Sequence, residues 1–272
     1  MPSPIWTPRN ERACALSVNG TAILIHGAFC GGWAMEPFAR YFEAAGYRTL
    51  CPTLRHHNVA PNVRAPQALG TTSVLDYVED LLVLVRALPE APVLIGHSMG
   101  GLIAQMIAAR TPVRALVLIA PSAPWGTLPT TPWEVAAAQG LFLAGQFWNR
   151  PLKPKQWIAV THALDLLPNA EREAVFARFV PESGLATFEI MHWPLDLRRA
   201  SFVEPGAVKC PVLCLAGAQD RVNPPKTVAS VAKRYRDQGA YEEFRGMSHW
   251  LIGEPGWERL AAHAEGWLKQ VA

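Results

Sequence analysis

The segment from Pro92 to Leu102 constrains the fold more than any other part of this chain. It reads P-V-L-I-G-H-S-M-G-G-L, an apolar run followed by glycines two residues before and two residues after Ser98. The pattern G-x-S-x-G, between a strand pattern and a helix pattern, is typical of a sharp turn that lifts the serine above a sheet. Gly96 and Gly100 suit such a turn, because strand and helix can approach closely where side chains are absent. We therefore predict that Ser98 is a nucleophile at a strand-to-helix turn.

Strand and helix patterns alternate along most of the chain. The predicted strands are Thr21–Ile25, Tyr47–Cys51, the run before Gly96, Val113–Ile119, Val212–Ala216 and Tyr241–Phe244. The predicted helices are Trp33–Ala45, Asp76–Leu88, the one that opens at Gly101, Pro225–Arg236 and Trp257–Gln270. Continuous apolar strands separated by helices predict an α/β fold, with a mostly parallel sheet and helices on both faces. Before residue 20 only Ala13–Val18 could form a strand, which favours a short sheet.

Residues 122–204 interrupt this rhythm with helical patterns at about 132–147, 154–167 and 169–180 and no strong strand. They carry five of the ten tryptophans: Trp125, Trp133, Trp148, Trp157 and Trp193. We predict a helical cap, or lid, inserted into a core formed by residues 1–121 and 205–272. Most large aromatic side chains serve in packing. Trp125, Trp193, His192 and Phe29 are the candidates for substrate binding.

A serine hydroxyl needs a histidine to take its proton and an acid to orient that histidine. In this architecture the order along the chain is serine, acid, histidine. Asp220 follows the predicted strand 212–216, and His249 follows the last predicted strand. Because open α/β sheets place ligands at the carboxyl ends of their strands, we predict a catalytic triad of Ser98, Asp220 and His249.

The turn after the first strand supplies candidates for an oxyanion hole. Gly27 permits a turn that aims the next amide inward, so the backbone N–H groups of Ala28 and Met99 could donate to a developing oxyanion. Phe29 is the alternative to Ala28, because the sequence alone does not specify which amide of the turn points inward.

Eight histidines compete for the role of base, and only His249 combines the right order with the right kind of loop. The others have simpler expected roles: His26 and His97 pack under glycine-containing turns, His56 and His57 are solvated in the loop at 55–72, His162 and His263 pack in helices, and His192 lines a pocket.

Composition limits the class of protein. Of the 272 residues 50% are hydrophobic and 17% charged, and the net charge is +3. The chain can bury a large core, and it has no charge excess for nucleic acid or an anionic membrane surface. Its longest apolar runs are interrupted or strand-sized, which predicts no membrane span. The start lacks a signal-peptide pattern, and the five cysteines (14, 30, 51, 210 and 214) form no paired framework, so we expect buried thiols in the cytoplasm.

Together these segments resemble the α/β-hydrolase superfamily over almost the whole chain. The matching pieces are HG at 26–27 with Trp33 downstream, GHSMGG at 96–101, GAQDRVNPP at 217–225 and SHW at 248–250. HGAFCGGW at 26–33 is similar to the start of the small esterase and hydroxynitrile-lyase branch. The resemblance implies an acyl-enzyme mechanism with Ser98 as nucleophile, His249 as base and Asp220 as orienting acid.

A serine at the elbow favours acyl transfer, and the apolar cap favours a hydrophobic acyl or aryl group. We expect a carboxylesterase or lipase-like serine hydrolase whose partner is a small hydrophobic ester. The alternatives are a cofactor-free perhydrolase resembling haloperoxidases, a C–C hydrolase or hydroxynitrile lyase, and a non-catalytic ligand receptor, which the intact triad disfavours. No metal, nucleotide or flavin motif appears, so we expect no cofactor and no metal. The sequence is compatible with a homo-oligomer.

Overall fold

The computed structural model describes residues 19–61, 63–143 and 145–271. Its main sheet has six strands: β1 Thr21–Ile25, β2 Arg48–Leu50, β3 Val93–His97, β4 Ala115–Ile119, β7 Val212–Gly217 and β8 Gly239–Phe244. They are all parallel, in the order β2-β1-β3-β4-β7-β8. A short antiparallel pair, β5 Pro151–Leu152 and β6 Glu182–Ser183, forms a second sheet. The predicted α/β fold is confirmed, while the candidate strand Ala13–Val18 lies outside the described residues.

Helices cover both faces of the main sheet. Between or after its strands lie α1 Glu36–Ala44, α2 Val74–Arg86, α3 Met99–Ala108, α8 Pro225–Lys233 and α9 Trp257–Val271. Because side chains alternate across a strand, β1 sends Ile23 and Ile25 into one core cluster and Leu24 into the other. The first cluster contains apolar residues of α2, α3 and α8, and the second contains those of α1 and α9. Every residue of β1, β3, β4 and β7 is buried, which explains their continuous apolar patterns.

The segment between β4 and β7 is mainly helical. It contains α4 Pro132–Leu143, α5 Gln156–Ile158, α6 Asn169–Phe176 and α7 Gly184–Met191. The helix predicted over 154–167 is wrong in extent: α5 has one turn, and a wider turn over Ala159–Ala163 follows it. There the Thr161 hydroxyl donates to the carbonyl oxygen of Trp157 at 2.5 Å, a contact that distorts helices. The boundaries 122–204 and the role of this segment as a cap stay predictions.

Among the described residues, no helix combines the length and the apolar character that crossing a membrane requires.

Candidate active site

Ser98 occupies a strained turn between β3 and α3, with φ 53° and ψ −120°. The turn is compact enough to require glycine at both flanking positions. A Cβ atom on Gly96 would lie 2.3 Å from the carbonyl oxygen of Gly100, and one on Gly100 would lie 2.2 Å from that of Ile25. The Ser98 N–H donates to the carbonyl oxygen of Ile119 at 3.0 Å, which ties the turn to β4. Local backbone geometry therefore holds Ser98 at the carboxyl edge of the sheet.

The structure brings the three predicted triad residues into one chain of hydrogen bonds. His249 Nε2 lies 3.1 Å from Ser98 Oγ, and His249 Nδ1 lies 2.8 Å from Asp220 Oδ2. The other oxygen of Asp220 accepts the N–H groups of Val222 and Asn223 at 2.7 and 2.9 Å, which fixes the carboxylate. With Nδ1 donating to Asp220, Nε2 is the atom that can accept the serine proton. The side chains meet because β3, β7 and β8 are parallel and end at the same edge.

The loop that carries His249 is held by a buried carboxylate that sequence patterns did not indicate. Glu254 accepts the N–H groups of Ser248 and Trp250 at 2.6 and 3.1 Å, one on each side of His249. The Ser248 hydroxyl also contacts Glu254, and it lies 2.6 Å from Asp165 Oδ1 in the inserted segment. Burial raises the pKa of Glu254 above its usual value. An acid five residues after the histidine belongs to no motif, so the sequence carries no signal for this contact.

The candidate oxyanion donors lie in the turn after β1 and at the start of α3. Neither the Ala28 N–H nor the Met99 N–H donates a hydrogen bond to another of the described residues. The Phe29 N–H, in contrast, already donates to Glu182 Oε2 at 3.3 Å. Ala28 is therefore a better candidate than Phe29 for the second donor beside Met99.

The predicted substrate-binding residues of the inserted segment pack against their neighbours. The rings of Trp125 and Trp193 meet edge to face at 5.0 Å, and the Arg199 guanidinium lies 4.5 Å from the centre of the Trp125 ring. His192 is stacked on Phe188 at 5.5 Å, and its Nε2–H donates to the carbonyl oxygen of Ala138 at 2.8 Å. These contacts give the three side chains a packing role, and their contact with substrate stays a prediction.

The expectation that His57 is solvated is wrong, because this side chain is 3% exposed and pairs with the buried Glu182. Its Nε2–H donates to Glu182 Oε2 at 2.9 Å, and its Nδ1–H donates to the carbonyl oxygen of Arg55 at 3.0 Å. Since both ring nitrogens face acceptors, the cation is the form that satisfies them. Burial lowers the pKa of His57, but the charge and hydrogen bond of Glu182 outweigh burial and raise it. His97 is buried as expected, and His263 packs its ring edge to face against Phe244 at 5.7 Å between centroids but is more exposed than expected.

A family model described as "Alpha/beta hydrolase family" matches residues 22–263. The chain belongs to the α/β-hydrolase family. Tomato methylketone synthase I complexed with 2-tridecanone has a similar structure, with a TM-score of 0.69 at 17% identity, over 94% of this chain and 100% of that one. A monoacylglycerol lipase from Paleococcus ferrophilus gives 0.64 at 22% identity, over 92% and 95%. At these identities the likeness concerns the fold of this α/β hydrolase.

A curated relative is similar in sequence over a shorter stretch. It is a carbendazim hydrolyzing esterase from Nocardioides sp. (strain SG-4G), 32% identical over 100 residues. The match covers 36% of this α/β hydrolase and 40% of the relative.

Proposed function

We propose that this α/β hydrolase cleaves carboxylic esters of hydrophobic acyl or aryl groups through an acyl-enzyme on Ser98. The observation that carries the proposal is the buried chain from Ser98 Oγ through His249 to Asp220, with distances of 3.1 and 2.8 Å. The esterase activity named for the Nocardioides relative supports a hydrolytic reaction.

In the proposed reaction, His249 Nε2 takes the Ser98 proton as Oγ attacks the ester carbonyl carbon. Asp220 keeps the proton on Nδ1 and stabilises the imidazolium that forms. The N–H groups of Ala28 and Met99 donate to the oxyanion of the tetrahedral intermediate, a contribution of about 3 kcal/mol for one donor. The imidazolium then protonates the leaving alcohol, and His249 activates a water that hydrolyses the acyl-enzyme.

The proposed cap would set the preference for the acyl chain. Burying an acyl chain against the apolar inserted segment gains about 0.8 kcal/mol per methylene, or roughly fourfold in kcat/KM per carbon. We expect kcat/KM to rise from acetate through butyrate to hexanoate until the pocket is full. We propose that at least one of Trp125 and Trp193 lines the pocket. Its replacement by alanine should change the chain-length preference more than it changes the thermal stability.

A fluorophosphonate probe tests the nucleophile, and a panel of p-nitrophenyl esters tests the reaction. We expect one covalent label on the peptide that contains Ser98, none in Ser98→Ala, and loss of ester turnover in the same variant. Labelling at another residue, or full turnover by Ser98→Ala, would contradict the proposal. Peroxide-dependent halogenation with little ester hydrolysis would favour a perhydrolase, and labelling without ester turnover would favour a C–C hydrolase or hydroxynitrile lyase.

A further inference from the structure

The peptide plane that carries the Ala28 N–H is held by a buried histidine. His26 Nδ1–H donates to the carbonyl oxygen of Gly27 at 2.8 Å, and this carbonyl belongs to the same planar peptide unit as the Ala28 N–H. His26 Nε2 accepts the Leu54 N–H at 3.0 Å. With one nitrogen donating and the other accepting, His26 is neutral, and burial lowers its pKa to about 3. Because C=O and N–H point in opposite directions in a trans peptide, this hydrogen bond holds the Ala28 N–H from the Gly27 side.

The next residue, Phe29, is held by the inserted segment. Its φ of 62° lies in the left-handed region, which is unfavourable for a residue with a side chain. The Phe29 N–H donates to Glu182 Oε2 at 3.3 Å, and the Phe29 carbonyl oxygen accepts the Val180 N–H at 2.9 Å. Two residues more than 150 positions later thus bind both polar groups of a strained residue beside the candidate oxyanion donor.

Glu182 can hold Phe29 because it is itself immobilised. The side chain is fully buried, and it accepts hydrogen bonds from Tyr77 Oη at 2.8 Å and from the Ser183 N–H at 2.7 Å. It also accepts the Nε2–H of the His57 cation at 2.9 Å. Burial would raise the pKa of Glu182, but His57 lowers it below its usual value and keeps the carboxylate charged. The His57 ring meets the His26 ring edge to face, with centroids 5.5 Å apart. The pair of Glu182 and His57 therefore contacts both residues that flank Gly27 and Ala28, namely Phe29 and His26.

We propose that Glu182 is a positioning residue for the oxyanion hole, which it orients by holding Phe29 in the conformation that aims the Ala28 N–H at the oxyanion. The proposal rests on the proposed function, because it assigns Glu182 a task in ester hydrolysis. It gives the inserted segment a part in the chemical step as well as in covering the substrate. Glu182 touches no reacting atom and acts through the backbone of residues 28 and 29.

A second buried carboxylate of the same segment provides a matched control. Glu189 lies in α7 and accepts the Ser73 hydroxyl at 2.7 and 2.8 Å and the Val74 N–H at 2.8 Å. It therefore joins the inserted segment to the start of α2, and its hydrogen bonds do not involve the turn at residues 26–29. We expect replacement of Glu189 by glutamine to loosen the attachment of the segment without disturbing Phe29.

The test compares wild type, Glu182→Gln and Glu189→Gln with p-nitrophenyl butyrate at a temperature where all three are folded. Removing one oxyanion donor typically costs about 100-fold to 1,000-fold in kcat, so misaiming one should cost about tenfold or more. We expect Glu182→Gln to lower kcat by that factor with KM within about twofold, and to weaken an alkyl boronic acid inhibitor in parallel. Glu189→Gln should keep kcat within about twofold. Equal kcat in the two variants, or a change in KM alone, overturns the proposal.

Failure of the proposed function would be recognised separately. If wild type turns over no ester, the proposed function fails, and Glu182 is judged by hydrogen exchange at the amides of residues 27–29. Faster exchange in Glu182→Gln than in Glu189→Gln supports positioning, and equal exchange overturns it. If Glu182→Gln does not fold, Tyr77→Phe takes its place, since it removes one hydrogen bond to Glu182 at nearly constant volume. A lower kcat at unchanged KM then supports the proposal, and a wild-type kcat overturns it.

Discussion

The strained turn at Ser98 predicts an unusual response to glycine. A residue with a side chain carries strain of about 1–3 kcal/mol in the positive-φ conformation of Ser98, and glycine relieves this strain because it has no Cβ atom. Both Ser98→Ala and Ser98→Gly lack Oγ and its contact with His249. The step from alanine to glycine at position 98 therefore isolates the backbone term. We expect this step to be much less destabilising than at a position with ordinary backbone geometry.

Ala115 in β4 supplies the reference, because it is fully buried in an extended strand. Ala115→Gly should lower the free energy of unfolding by about 0.4–1 kcal/mol through unfolded-chain entropy and by about 0.8 kcal/mol through the lost methyl group. At position 98 the same two costs apply, but relief of strain offsets them by about 1–3 kcal/mol. The two alanine-to-glycine steps should thus differ by that amount, or by about 2–12 °C in Tm for a chain of this size.

Urea denaturation and thermal unfolding of Ser98→Ala, Ser98→Gly, wild type and Ala115→Gly measure both steps. Equal losses at the two positions would refute the reasoning, because they would mean that the elbow stores no strain. A step at position 98 that raises the Tm outright would mean that the strain exceeds the two costs, about 1.2–1.8 kcal/mol together.

Three further results are expected. Asp220→Asn should lower kcat by about four orders of magnitude with little change in Tm, since the amide favours the wrong tautomer of His249; a near-normal rate in steady-state assays would point to another acid. Glu182→Gln should destabilise the protein most between about pH 4.5 and 6.5, as measured by urea midpoints from pH 3 to 9. Burial opposes both charges of the pair, but His57 lowers the pKa of Glu182 from its usual 4.5, so the stabilisation from this carboxylate is lost as pH falls through the lowered value. Glu182 raises the pKa of His57 from its usual 6.5, so the stabilisation from the imidazolium is lost as pH rises through the raised value. A stability difference between wild type and variant that does not depend on pH would contradict this. Burial raises the pKa of Cys210 to about 11 and that of Cys214 further, so a thiol reagent at pH 8 should label neither, as read by peptide mass, until the protein is unfolded; labelling of the native protein would show that these thiols open to solvent.

The sequence predicts the main sheet and the candidate triad because their signals are local. A continuous apolar run predicts a buried strand, as at Thr21–Ile25, whose predicted and observed bounds agree. The glycines around Ser98 stand out as a five-residue pattern, although only Gly96 is dictated by a contact within the turn and Gly100 is dictated by the end of β1. Asp220 and His249 could be selected because each follows a strand, and parallel strands bring such residues to one edge.

Long-range polar contacts could not be predicted in the same way. His57 lies in a loop of polar residues and proline, where a solvated side chain is the ordinary expectation. Its partner Glu182 comes 125 positions later, and no periodicity links the two residues. Glu254 acts on the backbone amides around His249, which every sequence possesses, so its role leaves no trace in residue type. Such contacts depend on the assembled tertiary structure.

The carboxylates of the inserted segment limit how the parts of this α/β hydrolase could be exchanged in evolution or in the laboratory. A segment transplanted from a relative without an acid at position 182 would leave the His57 cation buried and unpaired, at a cost of several kcal/mol. One without Glu189 would leave the first amide of α2 without its acceptor. A viable chimera must therefore carry each acid together with its hydrogen-bond partner in the core. Because the inserted segment and the core are matched through these contacts, new specificities should arise more readily by point changes within the segment than by replacing it whole.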